Sequence, residues 1–90
     1  MTASRVDNNQ GIIVQTFRNL NCTVAHLHDI GRGVPDLLVG YRGYNLLVEV
    51  KTAEGALRPI QKAWHKNWLG HVTVIRTPQE AIELIRTITN

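Results

Sequence analysis

Residues 33–51 read Gly33-Val34-Pro35-Asp36-Leu37-Leu38-Val39-Gly40-Tyr41-Arg42-Gly43-Tyr44-Asn45-Leu46-Leu47-Val48-Glu49-Val50-Lys51. Two strand-forming runs, 35–41 and 44–51, flank Arg42-Gly43, and a two-residue break of this kind predicts a β-hairpin. The pairing that sets Tyr41 opposite Tyr44 also sets Asp36 opposite Glu49. Directly opposed Cβ atoms lie about 4.5–5.5 Å apart on one face of a sheet. A four-residue loop with the same centre keeps this register, and only an odd-length loop or a bulge breaks it. Lys51 follows two residues after Glu49, so strand alternation puts it on the same face. Leu38 and Leu47 share that face deeper in the hairpin, while Val48 and Val50 point to the other side.

Two carboxylates at that separation repel unless something positive sits between them. A hard divalent cation answers that need, and Mg2+ (or Mn2+) commonly takes one or two protein carboxylates together with water and substrate phosphate. Such an ion lowers the pKa of bound water and stabilises charge on a phosphoryl oxygen. Lys51 beside it suits an attacking water or a charged transition state. The plainer reading is a solvated strand face with Asp36 capping a turn. A Glu-x-Lys triplet is common by chance, and it is the opposed Asp36, in register after Gly-x-Pro, that favours the metal site.

Outward from the hairpin, residues 7–20 read as a helix, with Asp7 or Asn8 as cap and Ile13, Phe17 and Leu20 at the spacing of one buried face. Asn19 and Asn21 supply its stop. Residues 23–28 alternate as a strand, with Val24, His26 and His28 on one face. Gly31-Arg32-Gly33 breaks the chain where side chains would obstruct. After a loop at 52–58, Pro59 suits the first turn of a helix over 59–69 that Gly70 ends. Residues 72–76 form a fourth strand. Thr77, Pro78 and Glu80 open a last helix as cap, first and third positions, and Ala81, Ile82, Leu84, Ile85 and Ile88 give it an apolar stripe. The order α-β-β-β-α-β-α implies an α/β fold with a central mixed four-stranded sheet flanked by helices.

On the wheel of the second helix, Leu57, Ile60, Trp64 and Trp68 share a face, which favours core over base-stacking roles for the two tryptophans. Gln61 lies at the polar edge, placed to reach the metal water or a scissile phosphate. Arg58, Lys62 and Lys66 recur every four residues on the far side, either as an ordinary solvated face or as a surface tracking phosphates. His26 and His28 resemble half of a zinc site without a third ligand at a familiar spacing. His65 and His71 read as surface or helix-end residues.

The 90 residues make one domain, residues 1–90, and a chain this short has little core unless a second copy lends surface. Ten Lys and Arg against seven Asp and Glu give a formal +3, which suits a polyanionic partner without requiring one. No apolar run approaches the ~20 residues that span a bilayer, and no apolar segment of a secretory signal opens the chain, so a cytoplasmic location is expected. A single cysteine, Cys22, excludes an internal disulfide and a cysteine-based zinc site.

Pro35-Asp36 followed by Glu49-Val50-Lys51 resembles the PD-(D/E)xK nuclease superfamily. The run from Gly33 to Gly40, the short hairpin, Glu49-Val50-Lys51, Gln61 with Trp64 and His65, and the segments 70–75 and 78–85 are similar to the VRR-NUC family of small phage-type nucleases. The resemblance covers nearly the whole chain. It implies a minimal restriction-endonuclease-like core and a metal-dependent DNA endonuclease. Asp36 and Glu49 would then be metal ligands with the Val50 carbonyl, Lys51 the catalytic lysine, and Gln61 the helix glutamine of the site. Many members add an acid from the first helix. Here Gln10 is the positional candidate, and a neutral amide is the weaker ligand.

Similarity to Holliday-junction resolvases further implies branched DNA as substrate and a homodimer acting in phage replication, recombination or repair. Arg32, Arg58, Lys62 and Lys66 are the expected DNA contacts. The last helix, apolar over a broad arc, is the expected dimer face. The competing reading is a catalytically weak DNA-binding module of a larger replication or recombination complex.

Overall fold

The turn residues Arg42 and Gly43 both adopt positive φ, 47° and 88°. That is the primed-turn geometry whose twist matches paired strands. The computed structural model describes the backbone of residues 4–89 and the side chains of 9–88. In it the elements follow the expected order: α1 (Ser4–Asn19), β1 (Thr23–His26), β2 (Leu37–Tyr41), β3 (Tyr44–Val50), α2 (Pro59–Asn67), β4 (Val72–Ile75) and α3 (Pro78–Thr89). The strands lie side by side as β1-β2-β3-β4. β1 and β3 each pair antiparallel with β2, and β4 joins β3 in parallel, with α2 as the crossover. This is a minimal restriction-endonuclease-like fold.

Hairpin register is as the sequence predicts, from Tyr41 opposite Tyr44 to Leu37 opposite Val48. Alternation then sorts the side chains. Leu37, Val39, Leu46 and Val48 pack with Ile13, Val14 and Phe17 of α1 and with Ala81 and Ile85 of α3. Phe17, Ile13, Leu37, Val39 and Val48 are fully buried, and each contributes about 1.5–3 kcal/mol of transfer free energy.

The helix ends follow their chemistry. α1 closes with Asn21 at φ 69°, where Cys22 N–H donates to the Phe17 carbonyl and Asn21 N–H to that of Arg18. That pair of bonds is the Schellman motif. α1 begins at Ser4, earlier than expected, so the expected caps Asp7 and Asn8 fall within the helix, and their side chains lie outside the described residues. At α3, Glu80 N–H donates to Thr77 Oγ1 at 3.1 Å while Arg76 N–H donates to Glu80 Oε1 at 2.6 Å.

α2 departs from expectation. It ends at Asn67, because Trp68 takes an extended backbone, two residues before the expected end. Trp64 and Trp68 are not core: the rings stack with centroids 4.7 Å apart, and Trp68 is 45% exposed. The one buried side chain of α2 is Gln61. Gly33 explains the close seat of this helix. Its φ is +83°, and a Cβ there would lie 2.5 Å from the Ile60 carbonyl oxygen.

Candidate active site

Beyond Leu37 the β2–β3 ladder runs out, and the Asp36 side chain takes over its last rung. Asp36 Oδ2 accepts a hydrogen bond from Val50 N–H at 2.9 Å. This pins the Asp36 carboxylate to β3 beside Glu49, on the face opposite the α1 core. Glu49 is 2% exposed. Its Oε2 accepts from Gln61 Nε2 at 3.1 Å, and Gln61 Oε1 accepts from Arg58 N–H at 2.8 Å. Gln61 thus joins the start of α2 to the carboxylate, which is why a polar residue occupies the buried position of that helix.

Glu49 Oε1 is buried and has no hydrogen-bond partner among the described residues. The Glu49 carboxyl is pushed up to about 7, first by burial and then by the facing Asp36, against weaker opposing effects of Lys51 and Arg58. Only a proton or a cation can relieve two carboxyls held this way. Lys51 Nζ stands 3.8 Å from Glu49 Oε2, with its side chain 16% exposed. Asp36, Glu49, Lys51 and Gln61 therefore come together at one end of the hairpin.

The donors fit a hard divalent cation: an orphaned, buried carboxylate oxygen faces a second carboxylate, with no soft ligand in the set. Among the described residues no group of three His, Cys, Asp or Glu gathers as a metal cluster. This leaves His26 and His28 without a completed zinc site. Val50, whose carbonyl is the expected further ligand, is buried at the end of β3.

Other expected residues are placed differently. Gln10 lines a cleft with Gly11, His26 and His28. Its neighbour Asn9 reaches the site strand instead, donating from Nδ2 to the Lys51 carbonyl at 2.9 Å. The signal for Asn9 was present, since it lies four residues before Ile13 on the buried stripe of α1. Arg58, Lys62 and Lys66 are all exposed along α2, and Arg32 is exposed in the loop before Gly33. His65, expected at the surface or at a helix end, lies in the last turn of α2 and is half-buried. Burial, and after it the Lys51 charge, lowers its proton affinity. Arg76 was not anticipated: its guanidinium holds the carbonyls of Thr52 and Gly55, at 2.8 and 2.5 Å, and so shapes the loop after Lys51.

A solved structure described as a VRR_NUC domain is similar to this chain at 30% identity, covering 90% of this chain and 94% of its own, with a TM-score of 0.75. No family model and no curated protein matches the sequence.

Proposed function

The chain belongs to the VRR-NUC family, which brings a nuclease-type function, and on that premise we propose that it is a divalent-metal-dependent endonuclease hydrolysing phosphodiester bonds in DNA, selective for branched substrates. The observation that supports this most is the buried, unpartnered Glu49 Oε1 opposite Asp36. Asp36, Glu49 and the Val50 carbonyl would hold Mg2+ or Mn2+. The ion supplies a bound water of lowered pKa and a positive charge against the phosphoryl oxygen.

The chain's own residues do the rest. Gln61 fixes Glu49 Oε2 and so leaves Oε1 as the free ligand atom. Asp36 keeps its orientation through Val50 N–H. Lys51 brings a positive charge to meet the attacking water or the charge that builds on the phosphate. Arg32, Arg58, Lys62 and Lys66 supply phosphate contacts that position the strand.

A homodimer would present two such sites to two strands of a junction. The surface that favours it is on α2 rather than α3. Leu84 and Ile88 of α3 pack against the core. Ile60, Trp68 and Leu69 are 50%, 45% and 100% exposed, beside a cleft of about 430 Å³ lined by Leu27, Val34, Leu38, Leu47, Trp64 and Trp68 among others. Leu69→Glu should therefore lower the mass seen by light scattering from dimer to monomer. No helix among the described residues is long and apolar enough to cross a membrane, and the proposed place of action is the cytoplasm, that of the host if the chain is phage-encoded.

The test is a cleavage assay on four-way junction, fork, single-stranded and linear duplex DNA with Mg2+, Mn2+ or chelator. Metal-dependent cutting of branched DNA is the expected result. Binding without cutting under either metal would replace the nuclease reading with the DNA-binding module.

A further inference from the structure

His65 stands one helical turn beyond Gln61, so their side chains share a face of α2. On that face Gln61 already touches Glu49. The Nε2 of His65 is buried and has no hydrogen-bond partner among the described residues. Leaving a buried polar atom unpaired costs about 1–3 kcal/mol, and such an atom calls for a partner that the resting structure does not supply. Burial and the neighbouring Lys51 charge both disfavour protonation. Both favour the neutral imidazole, which carries a lone pair on one ring nitrogen.

Lys51 has the complementary deficit. Its Nζ is 3.8 Å from Glu49 Oε2, longer than the ~2.7–2.9 Å of a charge-assisted hydrogen bond, and that oxygen already accepts from Gln61. The ammonium has three donors to place, and the unpartnered His65 Nε2 belongs to a ring on the same α2 face as Gln61, which touches the same Glu49 oxygen that Lys51 approaches.

We propose that His65 is a positioning residue for Lys51: Nε2 accepts a hydrogen bond from the ammonium and holds it against the scissile phosphate when DNA is bound. The imidazole carries its proton on Nδ1. Lys51, freed from leaning on Glu49, leaves both Glu49 oxygens to their other partners. This rests on the nuclease reading above, but part of its test does not.

That part uses the nitrogen shifts of His65, recorded with a short duplex oligonucleotide in chelator, where nothing is cut. An unprotonated Nε2 whose shift moves on DNA addition, and fails to move in Lys51→Met, is the expected result. A proton on Nε2, or the same response in Lys51→Met, overturns the proposal. The second part is kinetic. His65→Leu should lower kcat on the order of 10- to 100-fold, the usual cost of losing a group that orients a reacting one, with KM for DNA unchanged. His65→Gln, which can place an amide oxygen near the Nε2 position, should recover most of the rate. Equal impairment in both variants, or an unchanged kcat in His65→Leu, overturns it. A wild-type protein that cuts no DNA would sink the nuclease reading, and the nitrogen shifts would still decide His65.

Discussion

On the α1 side of the hairpin, Leu37, Val39 and Val48 are wholly buried among hydrocarbon. On the α2 side the same two strands present Asp36 and Glu49, and the helix that covers them buries a glutamine and leaves Ile60 and the adjoining Trp68 exposed. The strands are shared, but the two faces obey different physics. One lowers free energy with each buried methylene. The other desolvates a carboxylate beside its like, which raises free energy until a positive partner arrives. The first face makes the fold, and its surplus offsets the cost of the second.

The sharpest way to separate the faces is to remove one side chain from each. Asp36→Ala and Glu49→Ala should each cut cleavage on the order of 10³-fold or more, with melting close to wild type in Glu49→Ala and stability lower by at most about 1–3 kcal/mol in Asp36→Ala, where Val50 N–H loses its acceptor. Leu37→Ala, one residue from Asp36, should do the reverse and cost about 2–5 kcal/mol of stability. Full cleavage by either acid-to-alanine variant in Mg2+ would remove the metal assignment. A Glu49→Ala variant that unfolds would erase the division between faces.

A smaller effect concerns pH. The Glu49 carboxyl rises from 4.5 to about 7 on folding. Between those values the folded state holds a proton that the unfolded state has released. Stability of the metal-free protein is therefore greatest below the unfolded value, falls as pH rises from about 4.5 to about 7, and levels off above. Each unit is worth about 1.4 kcal/mol, so the whole effect is on the order of 3 kcal/mol. Glu49→Gln should flatten this slope in denaturant titrations across the range, and an unchanged slope would relocate the titrating group. Mg2+ added near pH 6 should release a proton measurable in weakly buffered solution.

Two further changes probe α2 itself. Gln61→Ala should slow cleavage by roughly tenfold, less than the acids, since water can replace part of a hydrogen bond that only orients. Lys62→Glu with Lys66→Glu should weaken DNA binding and reduce the salt slope by about one for each phosphate that the helix no longer neutralises. An unchanged slope would mean that the stripe is simply solvated.

The hairpin half of this comparison was legible in the sequence, and the helix half was not. A two-residue turn and a period of two leave no freedom, so placing Tyr41 against Tyr44 also brought Asp36 and Glu49 together. For α2, the wheel finds which residues share a face but not which face meets the sheet. It assumes that the sheet offers hydrocarbon. Here the sheet offers Glu49, which needs a donor, so Gln61 turns inward and Trp68 outward. The site contribution of α1 was missed in a related way. Asn9, one turn before Ile13 on the same stripe, holds a main-chain carbonyl at the end of the buried face; its position carries the signal, but a search for apolar residues along the stripe stops at Ile13.

The distance along the chain between Glu49 and its cover orders the folding events. The hairpin closes through two turn residues and so forms early among such contacts, bringing the acids together while water still surrounds them. Gln61 lies 12 residues beyond Glu49, and its helix docks only after a longer loop closes. If α2 docks after the main barrier, the penalty on ionised Glu49 falls on the rate of unfolding and not on that of folding. Metal-free protein taken from pH 4.5 to 7 should show a rising unfolding limb and a level folding limb in stopped-flow chevrons, with Mg2+ slowing the unfolding limb again. On that order α2 is the part that opens first, and a cation that fills the site acts as a latch on the fold.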